Sequence, residues 1–251
     1  MTNKASKYIF NFILLVTIIS SKAFAQSTAQ LHNSLQNLLK EQNLAGCVWS
    51  VVDTNGNIYS DCAGLNNAEI KKTFNSTDKV NVGSIAKTIL AMGILHLATE
   101  SKINIDDPVN KYLPATKFIN PWEATNPVTI QHLLNHTSGL GDLRIWHFFS
   151  TTSTPNTTLS AFYIKNPTVL SIQEKPGSIF SYSNMGYTLI GMVIEAVTKQ
   201  RYEKFIDENI LKLIGMNNST FEFVSQTGMY ADSNLAMGHL DNQEPFAAYS
   251  M

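Results

Sequence analysis

The chain has 251 residues, 44% of them hydrophobic and 15% charged, with 18 basic against 19 acidic side chains, a balance that belongs to a folded, well-cored protein and not to a disordered one. Arg144 and Arg201 are its only arginines and no basic run occurs. The positive surface that a phosphate backbone requires is missing, so nucleic acid is not an expected partner.

Residues 1–25 read as a secretory signal peptide: Lys4 and Lys7 precede the apolar run Tyr8 to Ile19, which ends in Ala23-Phe24-Ala25 before Gln26. The run is interrupted by Asn11 and falls short of the roughly 20 apolar residues that cross a bilayer. No stable membrane span is therefore expected after cleavage, and a periplasmic or secreted location follows. No cysteine follows the cut, so a lipid anchor is not indicated. Cleavage takes away Lys4, Lys7 and Lys22 and leaves a mildly acidic mature chain of residues 26–251.

Leu31, Leu35, Leu38 and Leu39 recur at helical spacing and predict an amphipathic helix ending near Asn43. Two valine-rich runs, Ala45 to Asp53 and Asn57 to Gly64, flank the turn signal Asp53-Thr54-Asn55-Gly56 and predict a hairpin. The only cysteines, Cys47 and Cys62, lie on its two strands. A four-residue loop would set them opposite each other, and a two-residue Asn-Gly loop would set them on a diagonal where bridging is harder. Export permits a disulfide, but two packed thiols are the preferred reading. With no histidine pair beside them, no metal site is expected.

From Ser84 onward the pattern is mainly helical, with helices expected near Ser84 to Glu100, Thr129 to Asn135, Asn184 to Lys199 and Tyr202 to Ile214, and with Thr129 as an N-cap. The first of these is apolar on nearly every face and is expected to be buried. Lys87 lies inside it and must reach a partner, snorkel to a cleft or lose its charge more readily than usual. Ser84, three residues earlier, shares its face one turn away, near the positive end of the helix dipole.

Ser84-Ile85-Ala86-Lys87 fits the S-x-x-K pattern in which a lysine serves as base for a nucleophilic hydroxyl. A second match, Ser76-Thr77-Asp78-Lys79, has no apolar helix behind it, so context selects Ser84. Tyr182-Ser183-Asn184 supplies a Y-x-N triplet, although an aromatic anchor beside an N-cap would explain those residues as well. His136 is expected to be structural and not catalytic. Asp106 and Asp107, before Pro108, read as a turn and not as an acid/base pair. No serine has the G-x-S-x-G setting of an α/β-hydrolase.

Several blocks, in order, resemble the family of class C serine β-lactamases, D-alanyl-D-alanine carboxypeptidases and penicillin-binding esterases. They are Val80 to Thr88, Lys102 to Pro114, Thr129 to Leu140, Lys175-Pro176-Gly177 with Phe180 to Tyr187, and Leu213 to Met216 with Ser219-Thr220. The resemblance implies an α/β (α+β) fold, an antiparallel sheet flanked by helices plus a helical subdomain. Residues 26–83 would be the sheet part and 84–251 the mainly helical part of one domain. It implies Ser84 as acylated nucleophile, Lys87 as its base or proton partner, Tyr182 as second proton-transfer group, and Asn184 as the residue that orients Lys87 and holds the substrate amide. The Ser84 amide would form half of an oxyanion hole. The substrate would be a β-lactam, a D-Ala-D-Ala peptide or a small ester, with no metal and no cofactor.

The third element of the family, Lys/His-Ser/Thr-Gly on a late strand, has no match in the chain, and Gln226-Thr227-Gly228 comes too soon after Tyr182. The resemblance thus implies a C-terminally truncated domain whose final strands are missing, and a hairpin with an exposed edge and apolar face. The alternative to a serine hydrolase is a catalytically silent module that binds peptidoglycan peptides or a partner.

Overall fold

A computed structural model describes residues 27–142, 149–150, 153–164, 166–240, 243–246 and 249–250. The expected signal peptide lies outside the described residues. The described residues fall into two compact units, those of 27–78 with 236–240 and 243–246, and those between 79 and 235 with 249–250.

In the first unit, helix α1 (Thr28–Glu41) starts on a capping box in which the Ser27 hydroxyl accepts the Gln30 N–H and the Gln30 side chain returns to the Ser27 amide. The strands β1 (Gly46–Val52), β2 (Ile58–Asn67) and β3 (Lys72–Thr73) make an antiparallel sheet in the order β1-β2-β3. The hairpin turn is fastened by Asp53, whose carboxylate accepts the amides of Asn55 and Asn57. Its loop has one residue more than the four-residue alternative, which pairs Cys47 with Ala63 and Val48 with Cys62. Residues one step out of register point to opposite faces of a strand pair. Cys47 and Cys62 are accordingly free thiols, in neither the opposed nor the two-residue diagonal arrangement.

Val48, Val51, Val52 and Ile58 stay exposed, and among the described residues β1 pairs with β2 alone. The segment Ala236–Phe246 returns to this unit: Met237 donates its amide to the Asn66 carbonyl, and the Ala68 amide bonds to His239 Nε2.

The second unit holds the main core. After α2 (Ala86–Thr99) come the short α3 (Ile130–Leu134) and α4 (Ala161–Ile164), then α5 (Asn184–Thr198) and α6 (Tyr202–Ile206). Leu90, Ile94 and Leu97 of α2 pack with Leu133 of α3 and with Met185, Leu189, Ile190, Val193 and Ile194 of α5. Helix α2 differs from its sequence reading: one stripe is buried, while Leu95 is 50% exposed and Ile85, just ahead of the helix, 69%. An all-apolar sequence marks how many faces could be covered, and the neighbours decide how many are.

Thr129 caps α3 as expected, and His132 completes the capping box. The helix expected over Tyr202 to Ile214 is α-helical only to Ile206, then widens into a π-helical turn, Asp207–Leu211. The Asp207 carboxylate there accepts the Thr220 hydroxyl and the Phe221 amide, anchoring the following loop. Among the described residues no helix is long and apolar enough to cross a membrane. Sheet, flanking helix and helical subdomain make the α/β architecture expected of a β-lactamase- or transpeptidase-like chain.

Candidate active site

Gly83 has a left-handed backbone (φ 54°) and opens a 3-10 turn, Gly83–Ile85, that leads into α2. Ser84 therefore sits in the tight turn two residues ahead of the α-helix, whereas sequence periodicity places it at the helix start. Its amide lies in the opening turn, where N–H groups lack an intrahelical acceptor. Lys87, in the first turn of α2, reaches back and donates to Ser84 Oγ at 3.0 Å. The other side of the hydroxyl meets Tyr182, with 2.7 Å between Ser84 Oγ and Tyr182 OH. Three of the four residues expected from the sequence thus converge on one oxygen.

Tyr182 stands on the turn that enters α5. Ser183 caps that helix: its hydroxyl accepts the Gly186 amide and donates to the Gly141 carbonyl. The Lys87 ammonium lies 5.2 Å from the centre of the Tyr182 ring and 5.8 Å from that of Tyr187. Burial alone would raise the Tyr182 phenol, but the hydrogen bonds of Lys87 and Ser84 and the Lys87 charge together outweigh it and hold the phenol below its ordinary range. Tyr182 as a residue is 39% exposed.

Asn184 is placed differently from its expected partner. Its side-chain nitrogen donates to both oxygens of Asp142, at 3.0 and 3.1 Å, and its backbone amide donates to Asp142 Oδ1 at 2.9 Å. A carboxylate only accepts, so the amide orientation is fixed with nitrogen toward Asp142. Asn184 borders the site, but its hydrogen bonds go to Asp142 and not to Lys87. Sequence reasoning did not single out Asp142; the available signal was an acidic residue two positions after the His136 to Leu140 block.

Gln226-Thr227-Gly228 lies in a loop whose Gly228 has φ 81°, not on a strand. Among the described residues no cluster of three or more His, Cys, Asp or Glu side chains could hold a metal ion.

Comparisons with known proteins identify the family. The sequence profile of the beta-lactamase family matches residues 31–243. Protein flp of Staphylococcus aureus is 29% identical over 201 residues, 78% of this chain and 39% of that protein. Penicillin-binding protein 4* of Bacillus subtilis is 30% identical over 165 residues, 64% of this chain and 35% of that one. The structure of the octameric penicillin-binding protein homologue from Pyrococcus abyssi superposes with a TM-score of 0.71 at 28% identity, covering 90% of this chain and 52% of that one. The chain spans well under half the length of these two curated relatives. With the profile covering most of its length, the chain belongs to the beta-lactamase family, the serine-hydrolase superfamily that includes penicillin-binding proteins and D-Ala-D-Ala carboxypeptidases.

Proposed function

We propose that the protein is an exported serine hydrolase that acylates Ser84, acting on a β-lactam, a D-Ala-D-Ala peptide or a small ester. The observation that carries the reading is the short contact of one serine hydroxyl with both a lysine and a tyrosine whose phenol is held below its ordinary range.

In this mechanism Tyr182 in its phenolate form, stabilised by the Lys87 ammonium, takes the Ser84 proton as Oγ attacks the substrate carbonyl carbon. The carbonyl oxygen becomes an oxyanion beside the Ser84 amide. Its collapse breaks the bond to the leaving nitrogen or oxygen, which takes the proton back from Tyr182. Water then attacks the Ser84 ester with Tyr182 again accepting a proton; collapse breaks the bond from the acyl carbon to Oγ, Tyr182 returns the proton to Oγ, and the acid leaves with Ser84 and the phenolate restored. The test is turnover of p-nitrophenyl acetate, a chromogenic cephalosporin and a D-Ala-D-Ala peptide by the full chain: hydrolysis of at least one, lost in Ser84→Ala, supports the reading, and equal rates in both proteins reject it.

A second reading is a binding module without turnover. One observation favours it: no Lys/His-Ser/Thr-Gly triplet occurs in the 251 residues. Muropeptide binding that survives Ser84→Ala, with no hydrolysis of any of the three probes, would select it.

A further inference from the structure

We infer that His136 is a positioning residue that holds Tyr182 against Ser84 and Lys87; its effect on rate rests on the acyl-transfer reading above, whereas its effect on the phenol rests on geometry alone. One histidine grips three consecutive residues. Its carbonyl accepts the Ser181 amide at 2.7 Å, its ring lies against Tyr182 with centroids 4.4 Å apart and planes at 32°, and Nδ1 meets the Ser183 amide at 3.2 Å. Tyr187 and Phe180 flank the same imidazole at 5.2 and 5.8 Å. The left-handed backbone of His136 (φ 56°) turns carbonyl and ring toward the same turn.

A backbone N–H can only donate, so Nδ1 must be bare and the ring neutral, with its proton on Nε2. The groups facing the imidazole agree with that state. Burial first, then the Lys87 charge, hold its pKa below the ordinary histidine value against an opposing effect of Asp142; Tyr182 and Tyr187 are the other titratable neighbours. Acidification that protonates Nδ1 removes the acceptor and sets a second cation beside Lys87, so the grip on Ser183 fails.

Two substitutions separate acceptor from ring. Asparagine tolerates the left-handed backbone and carries an acceptor two bonds from Cβ, where Nδ1 stands, so His136→Asn keeps the hydrogen bond and drops the ring. His136→Phe keeps a ring and drops the acceptor. The experiment is tyrosine ¹³Cζ NMR of the full chain, with Tyr182 assigned by Tyr182→Phe, alongside the rate of Ser84 labelling by a fluorophosphonate probe. His136→Asn is expected to leave the Tyr182 titration in place and labelling within about threefold of wild type. His136→Phe is expected to move the Tyr182 titration up toward that of an ordinary phenol and to slow labelling about 10- to 100-fold, the scale of a misplaced catalytic group. In wild type itself the Tyr182 signal should step as His136 protonates, a step missing in His136→Asn, which keeps the test decisive if His136→Phe fails to fold.

An unchanged Tyr182 titration in folded His136→Phe overturns the inference, as does the lack of a step in wild type or a loss in His136→Asn as large as in His136→Phe. If wild type takes no label at all, the acyl-transfer reading fails while the phenol titration still decides the role of His136.

Discussion

At the scale of single residues, the site depends on one ammonium serving two oxygens. Lys87 hydrogen-bonds Ser84 and lowers the Tyr182 phenol, so Lys87→Met should return that phenol toward its ordinary value near 10 while leaving the fold intact. Tyrosine ¹³Cζ NMR or ultraviolet titration reads this directly, and an unmoved Tyr182 would mean that the lysine charge does not reach it. Asp142 sets a second expectation. It holds Asn184 through three hydrogen bonds to a charged acceptor, so Asp142→Ala should lower stability by about 1–2 kcal/mol, measured by urea unfolding, and free the Asn184 amide to rotate. The convergence of Ser84, Lys87 and Tyr182 was legible in the sequence because each lies inside a long motif. Asp142 and the grip of His136 were not, since both act by hydrogen bonds between segments about 40 residues apart that no local pattern records.

At the scale of elements, the placement of Tyr182 depends on turns more than on helices. The Ser183 hydroxyl joins the start of α5 to Gly141, and its side chain is buried. Ser183→Ala removes the cap and leaves the half-buried Gly141 carbonyl short of a donor, for an expected loss of about 1–2 kcal/mol by thermal or urea unfolding. Gly139 is more constrained: its φ is 75°, and a Cβ there would lie 1.9 Å from the Glu174 carbonyl oxygen. Gly139→Ala should destabilise by about 3 kcal/mol or prevent folding, because backbone meets backbone and no rotamer relieves the clash. The helices and the hairpin were readable from hydrophobic period, and Thr129 and Asp53 from cap and turn chemistry. The hairpin register was not, because a loop of one more residue decided which faces Cys47 and Cys62 occupy, and turn composition alone does not fix loop length. The π-helical turn after Ile206 escaped for a similar reason: Asp207 looks like any helical surface acid until Thr220 and Phe221 fold back to it.

At the scale of the whole molecule, the chain combines a well-packed helical unit with a sheet unit that keeps several valines at its surface. Its pH response follows from groups in both. Burial holds His132, His136 and His239 below the ordinary histidine value, so the stabilisation of their neutral forms is complete above about pH 6.5 and is lost as pH falls through the lowered values. Hydrogen bonds hold Asp53, Asp61 and Asp107 below the usual carboxylate value, so their contribution is present above about pH 4 and lost below it. The thermal midpoint should therefore be level between about pH 7 and 8, decline below about 6.5 and decline again below about 4. A midpoint that rises on acidification from pH 7 to 5 would contradict the histidine assignment.

The account stands or falls on whether Ser84 becomes acylated, and intact-protein mass spectrometry with peptide mapping measures that most directly. Incubation of the full chain with a penicillin and, separately, with an activated ester is expected to give a single acyl adduct on the peptide that contains Ser84, absent from Ser84→Ala and slower by about 100-fold or more in Tyr182→Phe. No adduct with either reagent, or an adduct of equal yield in Ser84→Ala, would contradict it.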